Sequence, residues 1–243
     1  MAMDDRMSGS TTLDPARMIA EARRAFFTMV GVLGVIWLVQ LANWADDYRL
    51  TGEYGIRAQH LDRLPDLLGA PFLHVNWEHL EGNSGPLFVF GFLAAYRGVK
   101  KFLALTLLVA LTSGAAVWLF EAQNVVTVGA SGVIYGYFGY VVLRGIFDRN
   151  LIDTLIGVVM GASFAYTLTA TVPGTPGVSW LGHLGGLLGG LAGAWIFRDR
   201  AGRTAAGAGS TRAGAGTPRP DAVPAQAPST RDELLKELKD LGL

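Results

Sequence analysis

The sequence predicts an all-α membrane protein, a bundle of six transmembrane helices with both termini on the cytoplasmic side (N-in/C-in) and a disordered cytoplasmic tail. Three observations predict it. Apolar residues make up 51% of the chain and charged ones only 16%, too little charge for an ordinary soluble domain. Six apolar stretches approach the roughly 20 residues needed to span about 30 Å of hydrocarbon. Lysine and arginine then gather at alternate ends of those stretches.

The spans fall near residues 25–42, 79–96, 102–120, 129–143, 151–169 and 178–197. The fourth is short, so its N-terminus starts below the membrane surface, reached through the extended, β-branched run Val125-Val126-Thr127-Val128. Arg17, Arg23 and Arg24 precede the first span; Arg97, Lys100 and Lys101 join the second to the third; Arg144 and Arg149 join the fourth to the fifth; Arg198, Arg200 and Arg203 follow the sixth. By the positive-inside rule all these segments are cytoplasmic. The loops after the third and fifth spans hold neither Lys nor Arg and lie outside.

Three regions follow. Residues 1–24 form a cytoplasmic segment whose Asp4, Asp5 and Asp14 make it unlike a cleavable signal peptide. Residues 25–198 form the membrane domain, and 199–243 a Gly-, Ala- and Pro-rich linker. The linker leads through a capping box, Thr230-Arg231-Asp232-Glu233, into a short helix with Leu234, Leu235, Leu238 and Leu241 on one side. The long first outer loop, 43–78, carries Trp44, Tyr54, Phe72 and Trp77 among its charges, which suits the headgroup region and equally suits a plain connection.

Composition also removes several classes of function. Net charge is zero and no basic run interleaves with aromatics, so nothing points to a nucleic-acid partner. With no cysteine there are no disulfides, catalytic thiolates or Cys-based metal sites.

Polar residues inside spans are costly and mark functional positions. Those in the outer third are His79, Glu81, Asn83, Ser131 and His183, each near the outer start of span two, four or six. Ser131 sits in Gly129-Ala130-Ser131-Gly132, where bare backbone on both sides lets a carbonyl approach the hydroxyl; such small residues also simply pack helices. His183 precedes Gly186 and Gly190, so its face is a groove for a neighbouring helix; alone it could equally bond a nearby carbonyl. A serine and a histidine at one depth match the nucleophile and base of a serine hydrolase.

His79 and Asn83, four apart, share a helical face suited to two donors converging on an oxyanion, or to bonding across helices. Glu81 points elsewhere, toward the surface or the first loop. Residues 74–79 fit neither H-E-x-x-H nor H-x-x-E-H, which argues against a metalloprotease; no metal and no cofactor are expected.

These residues resemble the rhomboid intramembrane serine proteases, from the first span through the sixth. The motifs are Phe72-Leu73-His74 followed by His79 and Asn83; Gly129-Ala130-Ser131-Gly132 followed by Tyr135; and Gly182-His183 with Gly186 and Gly190. The resemblance implies a Ser131–His183 dyad without an acid, Tyr135 stacked on His183, and an oxyanion hole of His79, Asn83 and the Ser131 N–H. It further implies that His74 holds the first loop over the site, and that span five with the loop 173–176 moves to admit transmembrane protein substrates from the lipid. Inactive relatives have lost the Ser or the His, and this chain keeps both.

Two departures stand out. Glu81-Gly82 and Pro86 are unusual in span two, with Pro86 expected to interrupt it, and the first-loop Trp–Arg pair of some members is absent, Arg57 being the nearest feature. The alternatives are a non-catalytic membrane protein that binds unstable transmembrane helices and, less well supported, a transporter. Sixteen arginines against four lysines fit a G+C-rich genome and so a bacterial plasma membrane.

Overall fold

The computed structural model describes residues 15–174 and 177–199. The predicted N-terminal segment up to residue 14, the linker and its terminal helix, and positions 175 and 176 of the 173–176 loop lie outside the described residues. The chain divides into Met1–Arg200 and Ala201–Leu243, and the described residues belong to the first unit.

Helix α1 runs Pro15–Ala45, ten residues ahead of the predicted span. Hydropathy marks where lipid-compatible sequence begins, whereas the helix begins at Pro15, whose fixed φ suits a first turn. Its polar first turns are supported by an Arg17–Glu21 pair at 3.0 Å, four residues apart.

The first loop is a folded layer. It contains α2 (Arg49–Tyr54), β1 (Ile56–Arg57), a 3-10 turn (Leu61–Arg63), α3 (Asp66–Gly69) and a second 3-10 turn (Ala70–Phe72). Asn43 pins it from the end of α1: its amide donates to Thr51 Oγ1 at 2.8 Å and to the His74 carbonyl at 3.1 Å. The extended run expected before Ser131 is present as β2 (Val126–Thr127), paired antiparallel with β1 in the register Ile56 to Thr127 and Arg57 to Val126.

Helix α4 (Trp77–Ala95) is capped by Asn76, whose side chain accepts the His79 N–H at 2.7 Å. It continues through Pro86, contrary to the expected interruption. The N–H that proline lacks would have served the carbonyl of residue 82, and Gly82 is exposed. Helix α5 spans Val99–Phe120 and α6 Ser131–Asp148. Helix α6 thus begins two residues later and ends five later than predicted. Arg144, assigned by sequence to a loop, lies inside it and is buried. Helix α7 (Leu151–Phe164) gives way to a 3-10 segment, Ala165–Thr171, and α8 spans Trp180–Ile196.

Helix α6 is the central post, packed against α4, α5, α7 and α8, with Tyr137, Tyr140 and Val141 almost fully buried. Its seam with α8 is as close as backbones permit. A Cβ on Gly186 would collide with the Gly132 carbonyl oxygen, and one on Gly190 with that of Gly136. Helix α1, helix α5 and the stretch Leu151–Thr171 are long and apolar enough to cross a membrane, by length and composition. Their outward faces expose Phe27, Leu38, Leu107, Val158 and Val159, a surface that water would penalise.

Candidate active site

Ser131 is the first residue of α6, where backbone N–H groups have no partner within the helix and the positive end of the helix dipole lies. The chain enters through Gly129, whose φ of +120° favours glycine and whose N–H donates to the Ala70 carbonyl at 3.0 Å. A Cβ there would stand 2.7 Å from His79 Cε1 and 2.9 Å from His79 Nε2, so glycine is also what lets His79 lie against the entry to Ser131.

His183 sits in the first turn of α8. That turn is capped by Ser179, whose hydroxyl accepts the Gly182 N–H at 3.3 Å and donates to Glu121 at 2.9 Å. Ser113 of α5 donates to the Gly182 carbonyl at 2.8 Å. Held there, His183 places Nε2 2.8 Å from Ser131 Oγ and Nδ1 2.9 Å from the Ala170 carbonyl oxygen. The Tyr135 ring stacks on the imidazole, with centroids 4.3 Å apart and planes 16° from parallel. Its hydroxyl donates to the Thr167 carbonyl at 2.5 Å.

Asn83 and His79, on one face of α4, line the same cleft as Ser131 and His183, a cavity of about 920 Å³. Asn83 Nδ2 and His79 Nδ1 are buried and have no hydrogen-bond partner among the described residues. Unmet buried polar atoms are rare and expensive. A second, smaller cavity of about 210 Å³ reaches Asn83, Ser131 and His183 from the side of Phe90 and Phe164.

His74 is fully buried in the first loop, its ring edge-on to His79 at 4.9 Å. Its Nε2 faces the Ala130 N–H at 3.5 Å, the long end of a hydrogen bond, and its carbonyl takes the Asn43 amide. Burial, with His79 beside it, lowers its pKa to about 4. It therefore stays neutral at physiological pH and can serve as an acceptor.

The structure thus brings together all the predicted residues: Ser131 and His183 in contact, Tyr135 on the ring, His79 and Asn83 on the cleft wall, His74 behind, and Gly129, Gly132 and Gly186 at the close approaches. Glu81 is exposed and takes no part. Arg57 donates to the Gly52 carbonyl at 2.9 Å within the first loop. Among the described residues no three His, Cys, Asp or Glu side chains gather where a metal could be held.

Sequence reasoning missed Ser113, Ser179 and Glu121, which fix the first turn of α8, and the buried Gln40 and Asn43 of α1. Ser179 before an apolar run was a readable cap signal. The carbonyls of Thr167 and Ala170 had none, since backbone groups carry no residue letter.

A family profile for the Rhomboid domain matches residues 62–200. An uncharacterized protein of Mycobacterium tuberculosis is 32% identical over 177 residues, covering 70% of this chain and 73% of its own length. An uncharacterized protein of Mycobacterium leprae is 32% identical over 187 residues, 74% of each chain. The chloroplastic Rhomboid-like protein 11 of Arabidopsis thaliana is 31% identical over 140 residues, 52% of this chain and 50% of that one. From the match over more than half its length and the relatives that share it, the chain belongs to the rhomboid family of membrane proteins.

Proposed function

We propose that the protein is an intramembrane serine endopeptidase that cleaves transmembrane proteins near the outer membrane face. The observation that carries this is the 2.8 Å contact between His183 Nε2 and Ser131 Oγ, inside a cleft lined by Asn83, whose amide nitrogen has no partner among the described residues. His183 takes the Ser131 proton as Oγ forms a bond to the scissile carbonyl carbon. The oxyanion is held by the Asn83 amide, the His79 ring and the Ser131 N–H. His183 then passes the proton to the departing amine as the peptide bond breaks, and water, deprotonated by the same histidine, releases the acyl group.

In this reading α1, α4, α5, α6, α7 with its 3-10 extension, and α8 are six spans, both termini are cytoplasmic, and residues 25–198 are the catalytic domain. The placement of Arg97, Lys100, Lys101 and Arg149 at one end of the bundle supports that orientation. The mycobacterial relatives support a bacterial plasma membrane. The partners are transmembrane substrates and lipid.

The test is reconstitution of the purified protein into liposomes with a panel of single-span proteins. Cleavage by the wild type, absent with Ser131→Ala and unaffected by EDTA, is expected. Cleavage that persists in Ser131→Ala would remove Ser131 from the mechanism, and binding of the panel without cleavage by the wild type would favour the non-catalytic alternative.

A further inference from the structure

We propose, resting on the protease reading of Ser131 and His183, that the backbone carbonyl of Ala170 is the third member of the unit, accepting the His183 Nδ1 proton and so setting the ring's tautomer and orientation. A neutral imidazole has one donor nitrogen and one acceptor. The Ala170 oxygen, 2.9 Å from Nδ1, cannot donate, so the proton belongs on Nδ1. Nε2 then presents its lone pair to Ser131 Oγ at 2.8 Å, the form a general base requires. In serine triads a carboxylate holds this position. Among the described residues, the His183 ring nitrogens reach only Ser131 and the Ala170 carbonyl.

The carbonyl is itself held in place. It belongs to the seven-residue 3-10 segment Ala165–Thr171, longer than such helices usually run. Every second residue from 167 to 171 is threonine, and each hydroxyl donates to the carbonyl three residues earlier: Thr167 to Phe164 at 2.7 Å, Thr169 to Tyr166 at 2.8 Å, Thr171 to Leu168 at 2.7 Å. These bonds compete with the α-helical ladder and account for the end of α7 at Phe164. Tyr135 joins the segment to the site, its ring stacked on His183 while its hydroxyl binds the Thr167 carbonyl. One side chain fixes the face of the imidazole, and the segment fixes its edge. Ala170 acts through His183 and is a positioning residue.

Two measurements test this. Nitrogen-15 NMR of histidine-labelled protein in detergent, assigned with His183→Asn, should show neutral His183 protonated at Nδ1 and unprotonated at Nε2. Replacing Thr171 by its α-hydroxy acid turns the Ala170–Thr171 amide into an ester and weakens the Ala170 carbonyl as an acceptor. That variant should lose about tenfold in kcat with KM within about twofold. An ester at the neighbouring Thr169–Ala170 bond should leave kcat within about twofold. An Nε2-protonated His183 in the wild type, an unchanged kcat in the first ester, or equal losses in both esters would overturn the proposal. If the first ester does not fold, the wild-type tautomer decides. Failure of a fluorophosphonate to label Ser131, with the Nδ1-protonated tautomer present, would instead sink the protease reading.

Discussion

At its first turn α6 carries Ser131 among His183, His79 and Asn83, and thirteen residues on, about 20 Å along the axis, it carries Arg144 among Asp153 and Arg97. Both ends bury polar side chains in an apolar bundle. At the Arg144 end the charges are paired: Arg144 donates to Asp153 at 2.6 Å and to the Leu93 carbonyl at 3.1 Å, and Arg97 pairs with the other oxygen of Asp153. Three segments, the end of α4, α6 and α7, are tied by charge. At the Ser131 end no such ion pair holds the side chains, and Asn83 Nδ2 and His79 Nδ1 have no partner among the described residues. Ion pairs fix the Arg144 end in the resting state, whereas in the proposed mechanism the Asn83 amide stays open for a charge yet to form.

The contrast can be broken at either end. The largest expected effect is from His183→Ala, which should lower kcat by about 10⁴-fold or more and shift the melting temperature in detergent little. A large loss of stability with activity retained in the folded fraction would assign His183 to packing. Next, Asp153→Ala leaves Arg144 buried and uncompensated, at a cost of about 3–5 kcal/mol of stability. The folded fraction should keep its kcat, and a loss of kcat at unchanged stability would show that the two ends are coupled.

His74 sharpens the comparison through pH. Its folded pKa of about 4 lies below the unfolded 6.5. Between these values the unfolded chain binds a proton the folded one refuses, so stability is full above pH 6.5 and is lost as pH falls toward 4. The loss is roughly 3 kcal/mol at most. Melting curves from pH 7.5 to 4.5 should show this slope, and His74→Gln should flatten it; identical slopes would mean His74 is not buried in this state. Smallest is Asn83→Ala, expected to lower kcat by about a hundredfold, near 2.7 kcal/mol, with KM and melting temperature little changed. A fully active variant with a lowered melting temperature would make Asn83 a helix-packing residue.

Much of the Ser131 end was legible in the sequence. Helical periodicity puts His79 and Asn83 on one face, and the glycines after His183 announce the close approach of a neighbouring helix, which the collision at Gly186 bears out; at Gly129 the close neighbour is the His79 ring. The Arg144 end was not legible, because hydropathy loses a span where charge begins, and a buried arginine reads as a loop cation until its partner Asp153 is seen across the α6–α7 turn. The order within the first loop was hidden too, since Ile56 meets Thr127 across seventy residues of sequence. So was the 3-10 segment, although its alternating threonines stand in plain view and only their bonds to carbonyls give them meaning.

The central claim is that Ser131 is a nucleophile activated by His183, and the most direct measurement is covalent labelling of the folded protein by a fluorophosphonate, located by peptide mass spectrometry. Labelling confined to Ser131, abolished in Ser131→Ala and slowed at least about a hundredfold in His183→Ala, is the predicted result. Labelling at another residue, or equally fast labelling of Ser131 without His183, would contradict it.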